Sequence, residues 1–270
     1  MKSNLINAAL IVAVLVITST SCKKDGWPCK NGDGSVQTEM RSVTGFTQIE
    51  NETDVEVIIT QGTEYEVKVQ AQQNLLDEVM TEIKGDELQI YTKHCINKHE
   101  PIVVYVTMPA LTKVEVSGSG IVTTTNEFNA TTMSLVVSGS GVFNANDSIY
   151  TDAVDLTISG SGVINYLGES RNASAVVAGS GLITMLGKGN ASDTGKPTNL
   201  DLTISGSGAV QAYDYPVEEC HFTISGSGLG QVNVSTLLSG TISGSGSLMY
   251  KGNPALNVTI GGSGSVIHVD

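Results

Sequence analysis

A five-residue pattern recurs eight times in this 270-residue chain, and it restricts the fold more than any other feature of the sequence. Each copy has Val or Ile, a small residue and then Gly-Ser-Gly, and successive first glycines are 18 to 27 residues apart. A unit of that length buries its apolar face only against a neighbouring copy, so the sequence predicts a stack of similar coils. The copies are residues 116–120, 137–141, 158–162, 177–181, 204–208, 224–228, 242–246 and 260–264.

The residues that lead into each Gly-Ser-Gly alternate as a half-buried strand does. The position before the small residue is always Val or Ile, and the position two residues earlier is mostly apolar, as at Leu156 and Leu202. Both columns are therefore expected to face the core, and the residue between them to face solvent. That outward column is mostly Thr, which suits the exposed face of a sheet. It consists of Glu115, Val136, Thr157, Val176, Thr203, Thr223, Thr241 and Thr259.

Gly-Ser-Gly is expected to form a corner in each coil. Glycine enters positive φ freely and lets stacked backbones approach closely. Stacking would align the central serines in one row, where their hydroxyls hydrogen-bond the corner backbone or each other. A structural role is the main interpretation, and ligand binding by the row is the alternative. The corner serines are Ser119, Ser140, Ser161, Ser180, Ser207, Ser227, Ser245 and Ser263.

The N-terminus is typical of an exported protein. Lys2 precedes an apolar run over residues 8–17, and small residues lead from there to Cys22. This run is too short to span a bilayer and fits the hydrophobic part of a signal peptide. Residues 1–21 are interpreted as a lipoprotein signal peptide, with Cys22 as the lipid attachment site and 22–40 as a flexible tether; a plain secretory signal is the alternative. This predicts a cell-envelope lipoprotein of the outer membrane, on its surface or periplasmic face, held by lipid alone.

Three further cysteines, Cys29, Cys95 and Cys220, follow this segment. A disulfide is expected outside the cytoplasm. The favoured pair is Cys29 with Cys95, because that bond would tie the tether to the first sheet. The spacing alone does not decide the connectivity.

The organisation of the rest of the chain follows from the regularity of its pattern. Residues 41–112 show less regular strands and turns, and they are predicted to form the first coils and to cap one end of the stack. Within them, residues 74–84 are interpreted as one helical turn followed by a strand. Residues 113–270 contain the repeats, and 41–270 form one continuous domain. Residues 188–199 lengthen one repeat as a surface loop, which is either neutral or a site of recognition.

The charge of the chain limits its partners. The formal net charge is -13, and residues 50–100 alone contain twelve Asp or Glu against four Lys. Nucleic acid and anionic membrane surfaces are therefore excluded as partners, because both are negatively charged and would be repelled by an acidic protein that has no basic patch. A homo-oligomer is an open alternative, since an uncovered last coil near residues 266–270 would expose strand edges unless the chain folds inward or another subunit covers it.

Candidate catalytic and metal sites are few. His94, Cys95 and His99 are residue types that bind zinc, but one cluster with an oxidisable Cys is weak evidence, so no metal and no cofactor are predicted. A carboxylate site would need acidic side chains to meet across coils. The candidates for it are Asp147, Asp152 and Asp155.

Two other patterns bear on function. A catalytic Ser needs a His and an acid beside it, and the four histidines, His221 among them, are interpreted as following no column of the repeat. Tyrosines spread over the repeats either stack on sugar rings or pack in the core and corners, which is the default for such residues. These tyrosines are Tyr150, Tyr166, Tyr213, Tyr215 and Tyr250.

Several segments together carry a resemblance to a known family. They are the signal with Cys22, Arg41-Ser42-Val43 followed by Phe46, Asp54-Val55-x-Val57, Asn74-Leu75-Leu76-Asp77, the Gly85-x-x-Leu88 hairpin and the serial Ser-Gly-Ser-Gly corners. In these segments the chain resembles the putative auto-transporter adhesin, head GIN domain family of bacterial surface lipoproteins, from about residue 41 to residue 270. The resemblance implies a right-handed β-helix-like fold, and together with the repeats it predicts an all-β solenoid with about eight Gly-Ser-Gly-cornered coils.

Two classes of function follow from these observations. The first is a non-enzymatic, adhesin-like surface or periplasmic module that binds a glycan or a protein or acts as a structural spacer; the repetitive corners and the lack of a convergent catalytic motif favour it. The second is a carbohydrate-active enzyme on a β-helix, a polysaccharide lyase or hydrolase. That class would require carboxylates and a basic residue to meet in one groove.

Overall fold

The structure is a computed structural model that describes residues 29–188 and 197–270. These residues form twenty-one β-strands and a single turn of 3-10 helix, so the prediction of an all-β fold is confirmed. The expected signal peptide, the attachment site Cys22 and residues 22–28 of the expected tether lie outside the described residues. The same is true of residues 189–196, the centre of the expected surface loop. Within the described chain, no helix has the length and hydropathy needed to cross a membrane.

The strands carry their chain-order numbers. They are β1 (Val36–Arg41), β2 (Gln48–Asn51), β3 (Glu56–Gln61), β4 (Glu66–Gln72), β5 (Val79–Lys84), β6 (Glu87–Thr92), β7 (Val103–Met108), β8 (Lys113–Val116), β9 (Ile121–Thr124), β10 (Phe128–Asn129), β11 (Thr132–Val137), β12 (Val142–Ala145), β13 (Ile149–Ile158), β14 (Val163–Val177), β15 (Leu182–Leu186), β16 (Asn199–Ile204), β17 (Ala209–Ile224), β18 (Leu229–Ile242), β19 (Ser247–Lys251), β20 (Ala255–Ile260) and β21 (Ser265–His268). The 3-10 turn covers Gln73–Leu75.

Strands from successive repeats pair in parallel and in register, and they form two long ladders. Ladder A contains the strands that lead into the corners, in the order β6, β2, β8, β11, β13, β14, β16, β17, β18 and β20. Ladder B contains those that leave the corners, in the order β7, β3, β9, β12, β14, β15, β17, β18, β19 and β21. Three long strands, β14, β17 and β18, run through both ladders. As a result β14, β15, β17 and β16 pair in a closed ring.

The predicted alternation along ladder A is confirmed. Leu156 and Ile158 are fully buried, whereas Thr157 between them is partly exposed. The register stacks Leu156 on Ala175 and Ala175 on Leu202, so each buried side chain contacts its counterparts in the neighbouring repeats. Apolar side chains are thus shared from repeat to repeat, and a single repeat would have no core of its own.

The Gly-Ser-Gly segments stack directly over one another. The backbone N–H of Ser180 donates to the carbonyl of Gly160 at 3.0 Å, and that of Ser207 donates to the carbonyl of Gly179 at 3.0 Å. A Cβ added at Gly206 would lie 2.1 Å from the carbonyl oxygen of Gly179. The corners therefore require glycine because of this close approach.

The expectation that the corner glycines use positive φ is wrong. Among the described residues, positive φ occurs only at glycines outside the corners, which are Gly34, Gly45, Gly85, Gly240 and Gly252. The backbone conformation of the corners would therefore allow residues other than glycine. A side chain is excluded because its Cβ would collide with a backbone carbonyl oxygen of the previous corner.

One layer of the two ladders lacks the Gly-Ser-Gly signature. Strands β2 and β3 pair in register with β8 and β9, so residues 52–55 form a corner below the first Gly-Ser-Gly. The buried Asn51 closes this corner: its Nδ2 donates to the carbonyl of Val55 at 3.0 Å, and its Oδ1 accepts from the N–H of Thr53 at 3.1 Å. An Asn side chain can satisfy the backbone of a turn in this way.

Antiparallel strands cover the N-terminal end of the stack. β4 pairs with β7 and β1, and β5 pairs with β6, all antiparallel. The 3-10 turn and β5 confirm the prediction of one helical turn followed by a strand within residues 74–84. The expected tether extends too far, because residues 36–40 belong to β1 and pair with β4 instead of forming a flexible segment.

A covalent and ionic clamp holds residues 29–33 against this end. Cys29 and Cys95 form a disulfide. Beside it, the buried carboxylate of Glu78 accepts hydrogen bonds from Lys30 and from Nδ1 of His94, the latter at 2.7 Å. Burial acts to raise the pKa of Glu78, but the hydrogen bonds and charges of Lys30 and His94 outweigh it and hold the pKa below its ordinary value of 4.5.

Replacing Glu78 with Gln should therefore destabilise the protein in a pH-dependent way. A carboxylate whose pKa is lowered by folding stabilises the folded state above its unfolded pKa, and this contribution is lost as pH falls through the folded value. We expect Glu78→Gln to cost about 1 to 2 kcal/mol at pH 7 and progressively less as pH falls below 4.5. Urea unfolding of both proteins from pH 7 into the acidic range measures the difference, and a cost that does not fall with pH would contradict the clamp.

The opposite end of the stack is open in the described chain. β20 and β21 each pair with a neighbour on one side only. Their side chains are less buried than those of the preceding repeats: Ile260, the last residue of the buried Val/Ile column, is 45% exposed, whereas Ile242 is fully buried.

Candidate binding surfaces

The eight corner serines form an exposed row along one edge of the stack. Their backbone N–H groups take part in the bonding between corners, as at Ser161, Ser180 and Ser207. Hydroxyl contact along the row is seen at one end, where Oγ of Ser245 lies 3.0 Å from Oγ of Ser263. The row is thus part of the scaffold, and its hydroxyls point to solvent without converging on a site.

The outer face of ladder A carries two columns of polar side chains. In one column Asp155, Ser174, Asp201, His221 and Ser239 follow each other in register. The other is the Thr column that the sequence predicted to face outward. Around the Thr203, Thr223 and Thr241 part of this column the two enclose a shallow trough of about 430 Å³.

The interpretation that the histidines follow no column is wrong for His221, and its neighbours resemble a catalytic group. Its Nδ1 lies 2.6 Å from Oγ of Ser239, and its Nε2 lies 3.9 Å from a carboxylate oxygen of Glu219. Catalysis of acyl transfer would also need free N–H donors for the developing oxyanion. The strands here have paired neighbours on both sides, which engage their N–H groups, and the side chains of His221 and Glu219 are 50% and 42% exposed. The group can therefore bind a polar ligand, but it lacks the other parts of a hydrolase site.

The outer face of ladder B differs in chemistry. On six consecutive strands, β9, β12, β14, β15, β17 and β18, it presents one aliphatic and one polar uncharged residue per strand. The aliphatic row is Ile121, Val142, Val163, Leu182, Ala209 and Leu229. The polar row is Thr123, Asn144, Asn165, Thr184, Gln211 and Gln231. Neither row contains a charged residue, although the chain carries a net charge of -13.

A groove of about 400 Å³ lies on ladder B toward its N-terminal end. Tyr105, a residue that is 37% exposed, lines it, and the Tyr105 hydroxyl donates to Oε1 of Gln70 at 3.0 Å. An ion pair between Glu66 and Lys68 forms another part of the wall. Tyr105 stands in the same register as Ile58, and Ile58 in the same register as Thr123, so the groove is in line with the polar row. The exposed Glu56 of β3 is in register with Ile121, so one charged residue lies between the groove and the aliphatic row.

The structure separates most of the tyrosines that were candidates for a sugar-stacking strip. Tyr166 and Tyr215 are fully buried and pack edge to face, with ring centroids 6.1 Å apart. Burial raises the pKa of both. Tyr250 packs against His268, and Lys251 lies over the ring of Tyr213 at 5.4 Å. Core and corner packing therefore accounts for the two buried tyrosines, and the five do not form a strip.

The other chemical candidates do not come together. Cys95 is in the disulfide, and no metal-binding cluster of His, Cys, Asp or Glu occurs in the part of the chain that the structure describes. Asp147 accepts from Lys188 at 3.0 Å, whereas Asp155 lies on ladder A between serines of the adjacent strands. Cys220 is buried, which raises its thiol pKa to about 12 and makes it a poor nucleophile.

The sequence contained a signal for the uncharged face that the repeat analysis did not use. The first and third residues after each Gly-Ser-Gly are aliphatic and polar uncharged in six consecutive copies, from Ile121 and Thr123 to Leu229 and Gln231. The position of Tyr105 could not be found in this way, because its strand lies outside the repeats and pairs with β3 across more than forty residues.

Comparison with known proteins gives a consistent picture. The family model for the putative auto-transporter adhesin, head GIN domain matches residues 45–187 and 182–254. A putative adhesin from Parabacteroides distasonis is 24% identical, with a TM-score of 0.80 over 88% of this chain and 99% of that one. A putative adhesin from Parabacteroides merdae is 20% identical, with a TM-score of 0.81 over 89% and 99%. A putative lipid binding protein from Parabacteroides distasonis is 23% identical, with a TM-score of 0.80 over 90% and 100%. At these identities the structures establish a shared fold. No curated protein matches the chain.

Proposed function

The chain belongs to the putative auto-transporter adhesin, head GIN domain family, and on that basis we propose that it is a non-enzymatic, adhesin-like binding module of the cell envelope. The observation that carries the proposal is the uncharged outer face of ladder B, which repeats the same pair of side-chain types on six strands. A regular, open face suits an extended ligand, whereas a catalytic site needs a few groups that converge on one reacting atom.

The proposal extends to the shape and location of the protein. We infer that the two ladders wind as a right-handed β-helix-like solenoid, which is supported by their parallel register and by the long strands that run through both ladders. We also propose that residues 1–21 direct export and that Cys22 carries the lipid. The tether would then be shorter than the sequence suggested, because residues from Cys29 onward are fixed to the fold by the disulfide.

The ligand class is a glycan or a protein at the cell surface. Amide and hydroxyl side chains donate and accept hydrogen bonds, and aliphatic side chains provide apolar contact area, so the face can bind uncharged polar surfaces. Acidic residues elsewhere disfavour anionic ligands such as nucleic acid. The alternative, a polysaccharide lyase or hydrolase, is not supported by any convergence of carboxylates on this face.

Binding without turnover is the expected result for the purified protein. A glycan array and an array of surface proteins measure binding, and chromatography of the bound glycans after overnight incubation measures cleavage. We expect binding to at least one class of ligand and no shortened products. Product formation that persists at constant specific activity through further purification would reject the non-enzymatic proposal, and the absence of any ligand on both arrays would reject the binding role.

A further inference from the structure

We propose that the outer face of ladder B binds a neutral, linear polysaccharide lengthwise, with one pyranose ring stacked on Tyr105. This inference rests on the proposed binding function and specifies its ligand. It is carried by two features of the same ladder: the exposed tyrosine of the groove on β7, and the aliphatic and polar rows that begin two strands away at β9, beyond Glu56 and Ile58 of β3.

The chemistry of the rows matches that of a neutral sugar chain. A pyranose has hydroxyls around its edge and apolar C–H groups on its faces. Asn165, Gln211 and Gln231 can donate to and accept from such hydroxyls, and the neighbouring Val163, Ala209 and Leu229 can contact the C–H groups. With no charged side chain in either row, the face favours ligands without carboxylate, sulfate or phosphate.

Tyr105 provides a preorganised point of attachment at one end of the face. Its hydroxyl is held by Gln70 at 3.0 Å, so little side-chain freedom remains to be lost when a ring stacks on it. Hydroxyls of Thr38, Thr60 and Thr107 and the Glu66–Lys68 pair surround the ring within the groove and can hydrogen-bond the edge of the sugar. An exposed aromatic ring with polar neighbours fits a ligand that is apolar on its face and polar at its edge.

The geometry of the ladder fits a repeating ligand that lies along the stack. Neighbouring strands are about 4.8 Å apart, which is close to the advance of one ring in a β-1,4-linked pyranose chain. Ladder B runs from β7 through β3 and β9 to β18, a span of eight strands or roughly 34 Å. Within this span the two rows carry one charged residue, Glu56 on β3. Ladder A has the same spacing but carries charged residues in its outward columns on several strands, including Asp155 and Asp201.

The first test is the dependence of affinity on chain length. Neutral β-1,4-linked oligosaccharides of glucose, mannose, xylose and N-acetylglucosamine with two, four and six rings are titrated into the full-length purified protein by calorimetry. We expect at least one series to bind and its Kd to fall about tenfold or more from two rings to six, because each added ring reaches another strand. A series that binds with a Kd independent of length overturns the lengthwise arrangement, and no binding by any series overturns the ligand class.

Variants distinguish this face from the rest of the surface. Tyr105→Ala is expected to weaken hexasaccharide binding about tenfold, and Gln211→Glu, which adds a charge in the middle of the polar row, to weaken it by a similar factor. The matched control is Asn257→Asp, an equally small change that adds one negative charge on the outer face of ladder A and should leave the Kd unchanged. Circular dichroism and the unfolding midpoint check that all three variants are folded.

The outcomes separate this inference from the broader function. If the wild-type protein binds a glycan and both ladder B variants bind it equally well, the inference is wrong and the binding function stands. If the face instead mediates self-association, light scattering will show dimers that Gln211→Glu dissociates, which also overturns the polysaccharide assignment. If neither glycan nor protein binds to the wild type, the proposed function fails as well.

Discussion

Replacing Gly206 with alanine is expected to lower the free energy of unfolding by about 3 kcal/mol, a large effect for the addition of one methyl group. The added Cβ would lie 2.1 Å from the carbonyl oxygen of Gly179 and 2.9 Å from its carbonyl carbon. Backbone atoms cannot rotate away as a side chain does, so the two corners must separate. Separation would weaken the hydrogen bond from Ser207 to Gly179 and the packing of Ile204 beneath it.

A second glycine in the same pattern provides the control. Gly261 occupies the small-residue position of the last copy, and a Cβ added there would meet no atom closer than 3.9 Å. Gly261→Ala is therefore expected to change stability by less than about 0.5 kcal/mol. Chemical unfolding of the two variants measures both effects. Comparable stability for the two would show that the corners are not held together by close backbone stacking.

The repeats made most of the scaffold predictable. Because identical short segments recur at nearly constant spacing, their alignment already contains the register of the ladders: Leu156 and Leu202 are equivalent in the sequence and lie in the same buried column of the structure. The inward and outward positions follow from strand geometry, which has a period of two. Two reasons were expected for glycine at the corners, and one of them is correct. The backbones of neighbouring corners approach too closely for a Cβ, as expected, but the corner glycines do not adopt positive φ.

The structural elements that could not be predicted from the sequence lie outside the repeats. The corner at Asn51 replaces glycine stacking with side-chain hydrogen bonds, so its sequence resembles none of the other corners. Strand β1 pairs antiparallel with β4, thirty or so residues away. Because of this pairing, residues 36–40 are part of the sheet and not of the expected tether. Local patterns carry no information about such pairings, because the partner strand is chosen by tertiary packing.

The candidate binding face depends both on the sequence repeats and on strand pairing between distant parts of the chain. Its two rows repeat with the corners and could be obtained from the sequence, as the positions of Thr184 and Gln211 illustrate. Its end at Tyr105 depends on the non-local pairing of β7 with β3. A regular scaffold thus supplies a periodic surface, and the irregular end supplies the residue that distinguishes one place on it.

Replacing Ile204 with Asp is expected to have the largest effect on stability. Ile204 is fully buried, and its column contains Val177 on one side and Ile224 on the other, both buried as well. A carboxyl group there would lose its hydration without gaining a partner, in addition to the loss of the aliphatic packing. We expect a cost of about 4 kcal/mol or more, with the repeats on either side losing their shared core.

The adjacent residue gives a closely matched comparison, because Thr203→Asp introduces the same side chain one position away. Thr203 lies in the outward column beside Thr223, so its carboxylate would remain hydrated. The expected cost is about 1 kcal/mol or less, mainly from the lower strand preference of Asp. Thermal and urea unfolding of the two variants, with hydrogen exchange of β14, β16 and β17, compares them. Equal destabilisation would mean that ladder A has no inner and outer face, and the shared core inferred from its register would then be wrong.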